Sequence, residues 1–217
     1  MYNLLKVIGV TDKARDNFGP ALSDATQALP GITSSLVAPT LPGVYNGGDY
    51  IWRVSFTDQA AAQAAIASDA GQAVTALLNT PSTITSLEGA DFETGHAGGD
   101  RDAASGLYRV ALFCANRNPT PERLRAFSRD TQIMPNHVRS IVRWELSQSD
   151  LSTGGLPWTH IWEQEYADRT GLEGPYMMHP VHWAHVERWF DTEYPDYLVD
   201  RHLVHTFCAL DQAILNR

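Results

Sequence analysis

The apolar positions along this chain change period twice in the same order. Leu4 to Val10 is a β-type run, followed by Leu22, Ala25 and Leu29 at helical spacing up to the Pro30-Gly31 break. Ile32 to Ala38 predicts a second strand, Pro39 to Gly48 a Pro/Gly loop, and the alternating run Tyr50 to Phe56 a third strand. Thr57 then caps an Ala-rich helix reaching about Leu78, and Ser82 to Phe92 completes the order βαββαβ. The polar, small-residue stretch from Glu93 to Ser105 reads as a linker.

The second pass starts with a strand at Leu107 to Phe113. Thr120-Pro121-Glu122 gives an N-cap and a first-turn proline, with Leu124 and Phe127 on one apolar helix face. Val138 to Leu146 and Trp158 to Tyr166 predict strands around a Gly154-Gly155 loop. A helix from Pro180 to about Glu193, a strand from Leu198 to Phe207 and a short helical tail from Leu210 to Arg217 finish the chain.

The βαββαβ order is the split βαβ, ferredoxin-like unit. Its repetition divides the chain into residues 1–98 and 106–217, and strand-for-strand equivalence sets Lys6 against Arg109. One such unit alone leaves a sheet face bare. Packing the two sheets face to face covers it and predicts an α+β barrel within one chain, helices outside.

Composition narrows the partners. Of 217 residues 43% are hydrophobic and 19% charged, which suits a globular core. The net charge of -9 speaks against nucleic acid, since phosphates need a basic face. No apolar run approaches the roughly 18 residues of a membrane span. Met1 to Val10 carries no signal-peptide cleavage pattern. Cys114 and Cys208 lack metal-type spacing and read as reduced core thiols. The expectation is a cytoplasmic protein free of membrane, with a small-molecule partner and a homodimer left open.

The candidate chemistry gathers in Tyr176-Met177-Met178-His179-Pro180-Val181-His182-Trp183-Ala184-His185 at the predicted helix start. A neutral imidazole can take and return a proton near pH 7, which makes His182 the candidate general base. Tyr176 can donate to a developing oxyanion. By alternation His160 shares a strand face with Trp158, Trp162 and Gln164, and Arg109 shares one with Ala111 and Phe113. If both faces meet the same helices, they form an aromatic pocket in which Arg109 holds an anion. Trp158, Trp162, Trp183 and Trp189 fall within 32 residues and point to an aromatic or phenolic substrate. A metal reading exists for His179, His182 and His185. Their i, i+3, i+6 spacing spreads over roughly 120° of a helix, however, and the HExxH pattern is absent, so no metal is assigned. No P-loop, Gly-x-Gly-x-x-Gly or Gly-x-Ser-x-Gly occurs.

From Tyr108 to about Thr206 the chain resembles the stress-responsive A/B barrel (Dabb) family of the dimeric α+β barrel superfamily. The resemblance rests on Thr159-His160-Ile161, on Tyr176-Met177-Met178-His179-Pro180-Val181-His182 and on Tyr197-Leu198-Val199-Asp200. The first half lacks the His-Pro-x-His and resembles a degenerate copy. Likeness to the family's cofactor-free polyketide cyclases implies acid–base roles for Tyr176, His182 and His160, with no cofactor. Arg109 stands where such a cyclase has a further histidine. The resemblance therefore implies a cofactor-independent lyase or cyclase on a phenolic or polyketide-like compound. Read from this chain's own pattern, Arg109, Trp162, Trp183 and His179 are the residues expected to line the substrate. A non-catalytic barrel binding an aromatic ligand or partner stays open, as does a cofactor-free or haem-dependent oxygenase.

Overall fold

In the computed structural model, which describes residues 1–215, the chain forms two five-stranded antiparallel sheets. The first half supplies β1 (Tyr2–Val10), α1 (Arg15–Gln27), β2 (Ile32–Pro39), β3 (Tyr50–Phe56), α2 (Gln59–Ala67), α3 (Asp69–Leu78), β4 (Ile84–Glu93) and β5 (His96–Gly99). The second supplies β6 (Leu107–Phe113), α4 (Pro121–His137), β7 (Ile141–Gln148), β8 (Leu151–Thr153), β9 (His160–Tyr166) and β10 (Val204–Ala209). The sheet orders are β2-β3-β1-β4-β8 and β10-β6-β9-β7-β5. Four strands of each keep the ferredoxin-like order, so the duplication and the α+β class read from sequence hold.

The outermost strand of each sheet comes from the other half. The stretch expected as a linker contains β5, which pairs with β7, while β8 from the glycine loop pairs with β4. Short, small-residue strands lack the hydrophobic alternation that announces a strand, and here a neighbouring edge imposes the pairing. Edge exchange covers two strands that would otherwise face water.

Other boundaries shift for local reasons. The long Ala-rich helix is two helices, because Ser68 is extended and its hydroxyl caps α3 at Gly71 N. The cap of α2 is Asp58 rather than Thr57. α4 runs to His137, so β7 starts at Ile141. The segment after Asp200 becomes a strand only from Val204, and Leu210 to Leu215 is irregular rather than helical; the rest of that expected tail lies outside the described residues.

Strand parity separates two environments. Tyr108, Val110, Leu112 and Cys114 face the barrel interior with Leu5, Val7, Ile51 and Phe92. Arg109, Ala111, Phe113, Trp162 and Tyr166 lie on the opposite face, under Phe127 of α4 and Trp189. Across the interior, Arg53 Nε donates to Glu163 Oε1 at 2.6 Å and its Nη2 lies 3.4 Å from Glu145, tying the halves together. Burial alone pulls the Arg53 pKa down, but the carboxylates of Glu163 and Glu145 outweigh it and hold the guanidinium above its ordinary value. Cys114 and Cys208 are buried, unpaired thiols. No helix among the described residues is long and apolar enough to cross a membrane.

Candidate active site

The helix expected from Pro180 to Glu193 is instead a series of irregular turns. A π-helical turn at Leu172–Tyr176 precedes it, a second spans Val181–Val186, and a 3-10 turn follows at Glu187–Trp189. Pro175 and Pro180 lack the N–H that an α-helical bond requires. Met177 N–H accordingly reaches back to the Leu172 carbonyl, five residues away. Wide turns of this kind recur at functional sites, because they re-aim side chains that a regular helix would space evenly. Asp130 of α4 anchors the segment, accepting from Arg188 Nη2 at 2.6 Å and Trp189 Nε1 at 2.8 Å.

This geometry delivers Tyr176 and His182 to one cavity of about 290 Å³ between the second sheet and the π turns. Their ring centroids stand 4.7 Å apart, and the Arg109 guanidinium carbon lies 5.3 Å from the centre of the Tyr176 ring. Tyr176 is held edge-on by Tyr166 at 6.0 Å. Trp162, Phe113, Met134, Val186 and Phe190 supply the apolar walls. Four of the residues expected to act together are thus brought together: Tyr176, His182, Arg109 and Trp162.

Three are not. His160 is buried beneath Phe127, ring centroids 5.1 Å apart, and Phe127 is itself ringed by Phe113 and Phe190 of the cavity wall. Its Nδ1 lies 2.9 Å from Thr159 Oγ1, and it borders a separate polar groove with Arg125 and Arg129. His179 accepts the Val181 N–H on Nδ1 at 3.1 Å and lines an outer groove beside His137. Trp183 is 55% exposed on the outer side of its π turn. His179 lies between the two π turns and Trp183 within the second, so the even α-helical spacing that set them beside His182 does not hold. Trp158 also leaves the expected face: it packs in the barrel interior and donates to Glu88. His185 lies 3.4 Å from Asp130, and no three potential ligands cluster for a metal among the described residues.

His205, not among the residues expected at the site, joins them. β10 pairs with β6 so that His205 sits opposite Ala111, and the ring lines the cavity. The backbone of Tyr45, from the first half, bonds to His205 in both directions at 2.8 and 2.9 Å, and Tyr45 also lines the cavity. Parity with Phe207 was the available signal; the register was not.

Burial sets the proton affinities. It lowers His182 to about 4, helped by the Arg109 charge, and His205 to about 3, helped by Arg109 and His182. Burial alone lowers His160 to about 4. All three are neutral imidazoles at pH 7. An unfolded chain regains values near 6.5, so below that pH it binds protons the folded chain refuses. Stability is therefore complete above about pH 6.5 and falls as the pH drops toward 4. The lowered carboxylates Asp168 and Asp200 act only below about pH 4, leaving the window to histidine. The urea midpoint should be lower at pH 5 than at pH 7, and His205→Asn should narrow that gap. An unchanged gap would remove His205 from this account.

No family model and no protein of curated function matches the sequence. Solved structures do. An anthrone oxidase-like protein superposes with a TM-score of 0.71 at 13% identity, covering 100% of this chain and 93% of that one. A monooxygenase-like protein from Lactobacillus acidophilus gives 0.59 at 10% identity, with 99% of each chain covered. A chlorite dismutase from Candidatus Nitrospira defluvii gives 0.55 at 10% identity, covering 96% and 91%. At such identities the likeness speaks for architecture alone. Duplicated ferredoxin-like units, two face-to-face sheets and these superpositions agree: the chain has the dimeric α+β barrel fold, with both halves of the barrel supplied by one polypeptide.

Proposed function

We propose that this chain is a cofactor-independent enzyme of Dabb type that acts by proton transfer on a phenolic or otherwise aromatic small molecule, as a carbon–carbon lyase or cyclase. The observation that carries this reading is the meeting of Tyr176 and His182 beside Arg109 in a cavity walled by aromatic rings. Neutral His182 takes a proton from a phenolic hydroxyl or an acidic C–H of the substrate. The electron pair left behind spreads onto an oxygen, which Tyr176 and Arg109 stabilise by hydrogen bonds and charge. When the carbon–carbon bond has formed or broken, the imidazolium returns the proton to carbon or to the departing fragment. One proton leaves and one returns, and no oxidant is consumed.

A second reading is that the same anion reacts with dioxygen, as the names of the anthrone oxidase-like and monooxygenase-like neighbours invite. A haem-dependent version fits these residues poorly. The cavity of about 290 Å³ lies at the small end of ligand pockets (~300–1,000 Å³ for drug-sized compounds), and a tetrapyrrole is larger than those. The two readings separate in one experiment. A panel of hydroxylated aromatic acids and polyketide-like ketones is incubated with the protein in air and under strict anaerobiosis, followed by mass spectrometry. Equal turnover without oxygen is the expected result. Turnover that needs oxygen and adds its mass to the product would replace the lyase or cyclase reading with the oxygenase one.

A further inference from the structure

Four cationic side chains are buried among the described residues: Lys6, Arg53, Arg109 and Arg143. Three have a carboxylate. Lys6 meets Asp91 at 2.7 Å, Arg53 meets Glu163 at 2.6 Å, and Arg143 meets Glu165 at 2.9 Å. Arg109, only 5% exposed, has none. Its Nη1 donates to the neutral Gln164 Oε1 at 2.6 Å, and its Nε has no partner.

The duplication shows what is missing. In the first half the partner of Lys6 is Asp91, which sits on β4 two positions beyond Gly89, the residue in register with Lys6. In the second half Arg109 is in register with Phe207 of β10, and two positions on stands Ala209. The carboxylate of one repeat is a methyl group in the other. Burying an unpaired guanidinium is costly, and the lining of the cavity offers no acid but Glu187.

A second orphan stands on the neighbouring strand. Trp162 is fully buried, lines the same cavity, and its Nε1–H has no acceptor. Arg109 pairs with Gln164 and Ala111 with Trp162, so Arg109 and Trp162 are diagonal neighbours on one sheet face. Arg Nε and Trp Nε1 can only donate. His182 Nδ1 and His205 Nε2 are also unpartnered on this cavity. The cavity thus holds two donors without acceptors, Arg109 Nε and Trp162 Nε1, and a positive charge that no carboxylate pairs with.

We infer that the absent counter-ion of Arg109 is the ligand itself, and that the ligand is an aromatic carboxylate whose arrival strengthens His182 as a base. A simple phenol is neutral at pH 7, with a pKa near 10 like that of tyrosine, whereas a carboxylic acid is already ionised. A carboxylate also brings two oxygens for two separate donors, Arg109 and Trp162. The apolar walls of Phe113, Met134, Val186 and Phe190 receive the ring. Neutralising Arg109 removes the repulsion that opposes protonation of His182 and His205.

The other groups facing His182 do not replace this control. Tyr176 and Tyr45 present phenol hydroxyls, Glu187 lines the cavity from the 3-10 turn but is exposed to solvent, and α4 contributes Thr131 and Met134, which carry no charge. The one acid of α4 near this segment, Asp130, is engaged by Arg188 and Trp189. This inference rests on the cavity being the reactive site, but its test reads binding and not turnover, so it can fail while the proposed activity stands.

Isothermal titration calorimetry with salicylate and its neutral isostere salicylamide tests it at pH 6 in buffers of different ionisation enthalpy. The expected result is salicylate binding at least tenfold tighter than salicylamide, with net uptake of a fraction of a proton. Arg109→Gln should abolish the preference while salicylamide binds as before, and Arg109→Lys should keep part of it. His182→Asn should reduce the proton uptake without removing the preference. Equal affinity for the two probes, no binding of either at millimolar concentration, or a preference that survives in folded Arg109→Gln would overturn the inference.

Discussion

Replacing His182 by alanine is expected to lower turnover of the phenolic substrate by ~10²-fold or more, the usual contribution of a positioned proton-transfer group. The fold should not suffer. Nδ1 of His182 has no hydrogen-bond partner within the protein, and a half-buried imidazole of lowered proton affinity contributes no ion pair to stability. The measurement is kcat/KM beside a thermal melt of the same preparation. His160→Ala supplies the contrast, because Phe127 stands between that ring and the cavity wall; its turnover should stay within a few-fold of the parent. Loss of activity in His160→Ala together with full activity in His182→Ala would reverse the assignment of the base.

The largest effect on stability is expected in the barrel interior, where Arg53 of the first sheet reaches Glu163 and Glu145 of the second. Arg53→Met should cost about 3–5 kcal/mol in urea unfolding, the range found when one partner of a buried ion pair is removed. The loss is severe because two carboxylates, Glu163 and Glu145, approach the guanidinium, while Ser55 accepts from its Nη1. Glu163 also accepts the Tyr108 hydroxyl at 2.6 Å. Adding Glu163→Gln to Arg53→Met keeps an acceptor for Tyr108 and removes one stranded charge, so it should recover part of the loss. If the single variant unfolds at the parental urea concentration, the pair across the barrel is not what joins the halves.

Much of the site was written in local order. The Tyr-x-x-His-Pro-x-His spacing marked Tyr176 and His182, and period-2 alternation set Arg109 on a face with Phe113 and Trp162 on a face with His160. Alternation could not say how far along that face a pocket extends. His160 and Trp162 share parity, yet Trp162 lines the cavity and His160 lies beneath Phe127. His179 and Trp183 were placed by assuming an α-helix, and prolines at 175 and 180 made the turns wider than that assumption.

By itself the sequence determined the repeated βαββαβ order, the α+β class and the residue types able to exchange protons, because period, caps and prolines act within a few residues of themselves. Only the tertiary structure decided which strand edges were exchanged between the halves, that His205 enters the cavity opposite Ala111, and that Arg109 lacks the carboxylate its counterpart Lys6 enjoys. Those outcomes depend on register between strands roughly fifty to a hundred residues apart, where a shift of one residue reverses every side chain.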